Sequence, residues 1–168
     1  MDRARASPYQ PSDRRFLDPM LIDASRHGAC VVPSGSVVDY DAAWAAKRAT
    51  LAAAWARFDR KDPAFQAFRA EGGAALHGFA LHCALAEAQG HGDHRRWPAG
   101  LRHLGDTGVA AFAARHADAL LFHAFLQFLV DRQLAEAAQA GAGLYRDLAV
   151  GTAPDGAEGW TRALPFLD

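Results

Sequence analysis

Cysteine is scarce. The two in 168 residues, Cys30 and Cys83, have no second thiol near either to complete a metal or redox pair, which predicts free thiols in a reducing compartment. Asparagine is missing altogether, Ile22 is the sole isoleucine, and lysine is confined to Lys47 and Lys61 beside 16 arginines. That skew is the stamp of GC-rich coding and carries no functional message. Lys plus Arg is 18 and Asp plus Glu is 19, a formal net charge of −1. Affinity for nucleic acid comes mainly from clustered cations that neutralise phosphates, so a nucleic-acid partner is not expected. No run of like charge suggests an anionic membrane surface. No stretch reaches the roughly 18 uninterrupted apolar residues of a membrane helix, and the charged start Met1-Asp2-Arg3-Ala4-Arg5-Ala6 is followed at once by Ser7-Pro8-Tyr9, which leaves no apolar segment for a signal peptide. The expectation is a cytoplasmic protein with no nucleic-acid and no membrane partner.

Hydrophobic residues make up 51% of the chain, although 39 alanines account for much of that share, and the length suits one ordinary domain or part of a larger one. The first 40 residues contain four prolines and little periodicity. They read as extended or looped, with at most a short strand over 20–23. From Asp39 onward the pattern is helical. Over 41–58, Trp44, Leu51, Trp55 and Phe58 recur on one helical stripe. Asp62-Pro63 opens a second helix, Gly72-Gly73 breaks it, and the pattern resumes over 74–89. Residues 90–108 read as a loop around Trp97-Pro98, followed by a short helix over 109–116 and a long one over 118–139. The segment 120–130 is apolar nearly all round, which predicts burial on most sides, and the longest helix is expected to cover 122–134. After Gly141-Ala142-Gly143, the stretch 144–150 reads as an interior strand. Such a strand is unstable alone, so the chain reads as a piece of a larger α/β fold.

Candidate chemistry is thin. His77 and His82 are five apart and His116 and His123 seven apart, whereas two-ligand helical metal sites prefer four. His91 and His94 share a loop with Asp93 and no cysteine, so no metal is expected. There is no Gly-x-Ser-x-Gly elbow; Ser34-Gly35-Ser36 is a turn, and Gly72-Gly73 lacks the Lys and Ser/Thr of a phosphate loop. Asp147 falls at the end of the expected strand, where α/β barrels place active-site groups; a capping or salt-bridged role beside Arg146 is the alternative. Tyr9, on a proline-flanked loop, suits either a platform for a sugar face or plain packing on a neighbouring helix.

These landmarks resemble the bacterial amylomaltases, the 4-alpha-glucanotransferases or disproportionating enzymes of glycoside hydrolase family 77. The segment from Ser7-Pro8-Tyr9-Gln10 through Ser12-Asp13-Arg14-Arg15-Phe16-Leu17-Asp18-Pro19 is similar to a family segment, with Asp18 where Asn is usual. Val38-Asp39-Tyr40, Lys47, Trp97-Pro98 and Phe122-His123-Ala124-Phe125-Leu126-Gln127-Phe128 follow in family order. Gly143-Leu144-Tyr145-Arg146-Asp147-Leu148-Ala149-Val150-Gly151 and Gly156-Ala157-Glu158-Gly159-Trp160 form the most specific match. The likeness spans about 7–160. The connection over 139–143 is shorter than usual, and 161–168 does not resemble the family's continuation.

The resemblance implies a chain that is mainly α-helical as it stands and forms part of a (β/α)8 TIM barrel with a helical insertion. Residues 1–38 would be an active-site loop region, 39–140 the helical insertion and a barrel helix, and 141–168 a barrel strand and its following loop. It implies retaining transfer of α-1,4-glucan segments between maltooligosaccharides, starch or glycogen chains, without a cofactor. Tyr9 and Asp147 match sugar-contacting and donor-site positions. The nucleophile and acid/base belong to later barrel strands, so no catalytic residue is expected here. The chain would be inactive alone, and the remainder of the barrel would be its partner. The competing expectation is a non-catalytic helical module that binds glucan or another protein.

Overall fold

The computed structural model describes residues 11–32, 35–140 and 149–162. They are mainly helical, with no strand among them. Among the described residues, five α-helices follow an arm: α1 (Tyr40–Arg57), α2 (Pro63–Gln89), α3 (Thr107–Arg115), α4 (Ala117–Ala138) and α5 (Ala157–Arg162). Local chemistry explains where they start and stop. Asp39 accepts from the Ala42 N–H and Asp62 from the Phe65 N–H, each satisfying a donor that has no partner within the first turn. Pro63 supplies a preset φ at the start of α2. Gly73, at φ 50° and ψ −138°, breaks α2 where the sequence has its glycine pair, a conformation that side chains resist. With α2 divided there, α4 is the longest uninterrupted helix among the described residues, as its apolar run predicts.

Two apolar clusters share α4. One gathers Ile22, Leu51, Trp55, Phe65 and the 122–130 stretch, with Phe58 and Phe68 against it. Its rings interlock, Phe58 lying 4.7 Å and Trp55 5.2 Å from Phe125. The other gathers Leu81, Leu85, Trp97, Val109, Phe112, Leu120 and Trp160. Where α1, α2 and α4 meet, Glu87 accepts two bonds from Arg48, at 2.8 and 2.9 Å, and lies 3.5 Å from His123 Nε2. The His123 contact is at the edge of hydrogen-bond range, so the Arg48 bonds carry the tie. Burial raises the Glu87 pKa, but His123 and Arg48 outweigh it and bring it down to about 2.

The arm corrects the expectation of a strand over 20–23. Two 3-10 turns, Pro19–Leu21 and Ala24–His27, occupy the segment. The cause is its register with α4. The Leu17 N–H donates to Gln127 Oε1 at 3.0 Å and Gln127 Nε2 donates back to the Leu17 carbonyl at 2.8 Å. The Asp23 N–H donates to Gln133 Oε1 at 2.7 Å, and Arg26 pairs with Glu136 at 2.7 Å. Each pair is separated by 110 residues, so the arm advances residue for residue along a helix. A helix rises about 1.5 Å per residue and a strand about 3.3 Å; a strand would outrun these partners after one bond. Asp18 and Asp23 cap the two turns by accepting from the Met20 and Ser25 N–H groups. Asn would offer Met20 the same oxygen, so Asp18 fits its place.

The expected loop over 90–108 carries two further 3-10 turns, His94–Arg96 and Ala99–Leu101, around a fully buried Trp97 whose Nε1 donates to the His91 carbonyl at 3.0 Å. The expected strand over 144–150 falls largely on 141–148, outside the described residues; Ala149 and Val150 are not in a strand. Helix α5 was not anticipated from the pattern.

Replacing Gln127 by Leu tests the arm's dependence on α4. By hydrophobicity alone, an apolar residue in this apolar helix would stabilise the protein. Loss of both Leu17 partners instead leaves two backbone groups unmatched, and a net loss of about 1–3 kcal/mol is expected. Denaturant unfolding measures the loss, and hydrogen exchange at the Leu17 amide should accelerate with it.

Candidate functional site

Two segments that carry family motifs, more than 130 residues apart, meet in the fold. The Pro11 carbonyl accepts from Thr152 Oγ1 and from the Ala153 N–H, both at 2.9 Å. Ser12 then serves the start of α5: its Oγ accepts from the Ala157 N–H and its carbonyl from the Glu158 N–H, each at 2.9 Å. The first donors of a six-residue helix, which its own backbone cannot satisfy, are thus capped by a distant part of the chain. The approach is close enough to require glycine at 156, because a Cβ there would lie 2.4 Å from the Ser12 carbonyl oxygen.

Charge locks the junction. Glu158 is 1% exposed and accepts from the Arg14 backbone N–H at 3.2 Å, from Nε at 3.0 Å and from Nη2 at 2.6 Å. Arg162, one turn further along α5, lies 3.4 Å away. The bond from Arg14 is the main reason the Glu158 pKa falls to about 2, against the opposing effect of burial. Asp13, also 1% exposed, binds the Arg15 backbone and guanidinium. The fork geometry of the Arg14 pair fixes the direction of the arm as well as its position.

Beneath α5, Trp160 packs 5.8 Å from Trp97 and 5.7 Å from His82, and its Nε1 donates to the Leu101 carbonyl at 3.2 Å. His82 is buried with no partner for Nε2. Burial, helped by the nearby His94, pushes its pKa down to about 3. The ring is held neutral and acts as packing under α5. Among the described residues no three His, Cys, Asp or Glu side chains gather where they could hold a metal.

Tyr9 and Asp147, the residues singled out as sugar contacts, and Arg146, the alternative partner of Asp147, lie outside the described residues. Their described neighbours do meet: Pro11 stands two residues after Tyr9, Thr152 five residues after Asp147, and these two are hydrogen-bonded. The sequence reading missed the roles of Ser12, Arg14, Gly156 and Glu158. All four sit inside the quoted motifs, but no local spacing signals that the motifs touch.

His82 gives a test of how α5 is held. Its pKa is depressed in the fold, so its contribution to stability is complete above about pH 6.5 and is lost as pH falls toward 3, where the unfolded chain takes up a proton that the fold excludes. The slope it adds is about 1.4 kcal/mol per pH unit. His82→Phe, which keeps an aromatic ring, should remove that part of the slope between pH 6 and 5. Urea unfolding at each pH measures it, and an unchanged slope in the variant would place the titrating group elsewhere.

Comparison with known proteins bears on the same two motifs. The family model described as 4-alpha-glucanotransferase, of glycoside hydrolase family 77, matches residues 1–167. A 4-alpha-glucanotransferase of Mycobacterium tuberculosis strain H37Rv is 41% identical over 180 residues, covering 92% of this chain and 25% of its own length. The protein of the same description from Mycobacterium bovis matches equally, and that of Thermus thermophilus is 33% identical over 170 residues, covering 92% of this chain and 34% of its own. The chain therefore spans a quarter to a third of these relatives. With the match running through the arm, the helices and the α5 junction alike, the chain belongs to the 4-alpha-glucanotransferase family, glycoside hydrolase family 77.

Proposed function

We propose that the chain is the donor-side section of a 4-alpha-glucanotransferase that moves α-1,4-glucan segments between maltooligosaccharides or starch chains. The observation that carries this reading is the junction of Pro11–Arg15 with 152–162. It ties together the segments next to Tyr9 and Asp147, as a site shared by both residues requires. In this reading 1–38 is an active-site loop region of a (β/α)8 barrel, 39–140 the helical insertion with a barrel helix, and 141–168 a barrel strand and its following loop. Active-site groups of such barrels cluster at the strand ends. Tyr9 offers its ring face and hydroxyl to a sugar, and Asp147 accepts hydrogen bonds from sugar hydroxyls and orients the donor.

Retaining transfer needs a carboxylate nucleophile and a carboxylic acid/base about 5–5.5 Å apart across the scissile bond. A single carboxylate at a strand end cannot both attack the anomeric carbon and protonate the leaving oxygen. The family resemblance assigns both catalytic groups to later barrel strands, outside the matched section. The role of this chain is then to bind and position glucan, with the remainder of the barrel as its partner. The free thiols Cys30 and Cys83 suit a reducing cytoplasm.

The purified chain should release no glucose and form no longer oligosaccharides from maltotriose. A polypeptide carrying the remaining length of the Mycobacterium tuberculosis relative should restore disproportionation when mixed with it, and Asp147→Asn or Tyr9→Ala should lower the restored rate by at least about tenfold, the loss expected on removing a charged or stacking sugar contact. Disproportionation by the chain alone that survives Asp147→Asn would overturn the reading. Glucan binding without restored activity would favour the helical-module alternative, which the two closed apolar clusters around α4 support.

A further inference from the structure

Eight large apolar side chains lie exposed among the described residues, and six of them fall between positions 21 and 40: Leu21, Val31, Val32, Val37, Val38 and Tyr40. Val31 is 84% and Val37 81% exposed. The other two, Leu104 and Val150, stand singly in the chain, as surface apolar residues ordinarily do. The six ring the N-terminal part of α1. Tyr40 is its first residue, Lys47 bonds the carbonyls on either side of Leu21, and Thr50 bonds the Ala29 carbonyl, two residues before Val31.

No charged side chain falls over 28–38, in a chain of which 22% is charged. That composition does not suit a polyanion, which is bound by cations. Nor does it suit a glucan, which is held by ring faces and hydrogen-bonding groups that valine lacks. It suits an apolar protein surface. In the relatives the matching section makes up 25% to 34% of the length, so a body about two to three times its size is made in the same chain and abuts it. The apolar faces of α4 are closed by the two clusters, which leaves the 21–40 stretch, among the described residues, as the apolar surface open to that contact.

We propose that the apolar stretch over 21–40, around the start of α1, is the surface on which the remaining section of the glucanotransferase packs. Leu21 and the four valines supply the area removed from water, and the lack of charge over 28–38 means that no ion has to be desolvated for the two sections to close. The identity of the partner rests on the glucanotransferase reading, whereas the position of the surface rests on exposure and composition.

Sedimentation and side-chain oxidation footprinting test the assignment, with the chain mixed with a polypeptide carrying the remaining length of the Mycobacterium tuberculosis relative. The two should associate, and oxidation of Leu21, Val37 and Tyr40 should fall on mixing while that of Leu104 stays as it was. Val31→Ser with Val37→Ser should weaken association by at least about tenfold, the loss expected when two valines no longer bury apolar surface. Both positions are exposed, so circular dichroism of the variant should match that of the unaltered chain. Where the separate partner does not fold, the same footprint is taken on this chain joined to it in place of the relative's matching section, and protection of the same three side chains is expected. Association as tight in the double variant, or oxidation of the three unchanged by the partner, would overturn the assignment. So would a dimer of the chain alone that the double variant abolishes, since a second copy would then be the occupant. Association and protection without glucan transfer would tell against the proposed function and support the surface.

Discussion

A stretch of backbone that joins no sheet must still find partners for its N–H and C=O groups, and the arm over 17–29 finds them in side chains on two helices. Gln127 and Gln133 of α4 each present an amide, which donates and accepts like a peptide group, to Leu17 and Asp23. Lys47 of α1 donates to the Met20 and Ile22 carbonyls at 2.6 and 2.9 Å, and Thr50 donates to the Ala29 carbonyl at 3.0 Å. Gln127 is 3% exposed within the apolar run of α4, a costly position for an unbonded amide. Its presence is explained by the backbone it serves. Ile22 reaches the core because this pairing brings it there.

The α5 junction applies the same economy with charge in place of amides. A helix of six residues has hardly any internal hydrogen bonds and could not persist alone. It is ordered by what it touches: Ser12 at its start, Arg14 on Glu158, and the Trp97–His82–Trp160 packing beneath. A well-placed fork of hydrogen bonds offsets the cost of sealing a carboxylate from water. The arm is therefore fixed at two places by different chemistry, along α4 by neutral amides with one exposed ion pair, and at α5 by an ion pair whose carboxylate is buried.

What the sequence made legible was local. Asp39, Asp62-Pro63 and Gly73 are punctuation whose effect is felt within a turn, and they place the start of α1 and both halves of α2. The stripe of Trp44, Leu51, Trp55 and Phe58 and the run over 120–130 announce their own burial. The arm was misread because its conformation is set by residues 110 positions away, and no local pattern encodes a one-to-one register with a helix. Helix α5 escaped notice for a related reason: its caps come from Ser12, not from its own flanks. The motifs that mark the family were visible as strings, while their contact through Arg14 and Glu158 belongs to the fold alone.

Those long separations also impose an order of events during synthesis. The arm leaves the ribosome before α4 exists, and the partners of Leu17, Asp23 and Arg26 follow 110 residues later, those of Ser12 and Arg14 about 145. At about 5–20 residues per second, this is a wait of roughly 6 to 30 s, during which α1 and α2 can form and associate but Phe16 and Ile22 have no complete surface to enter. Within this section the arm is made well before its partners, so a nascent chain carries Phe16 and Ile22 uncovered, open to chaperones and proteases, until α4 and α5 arrive.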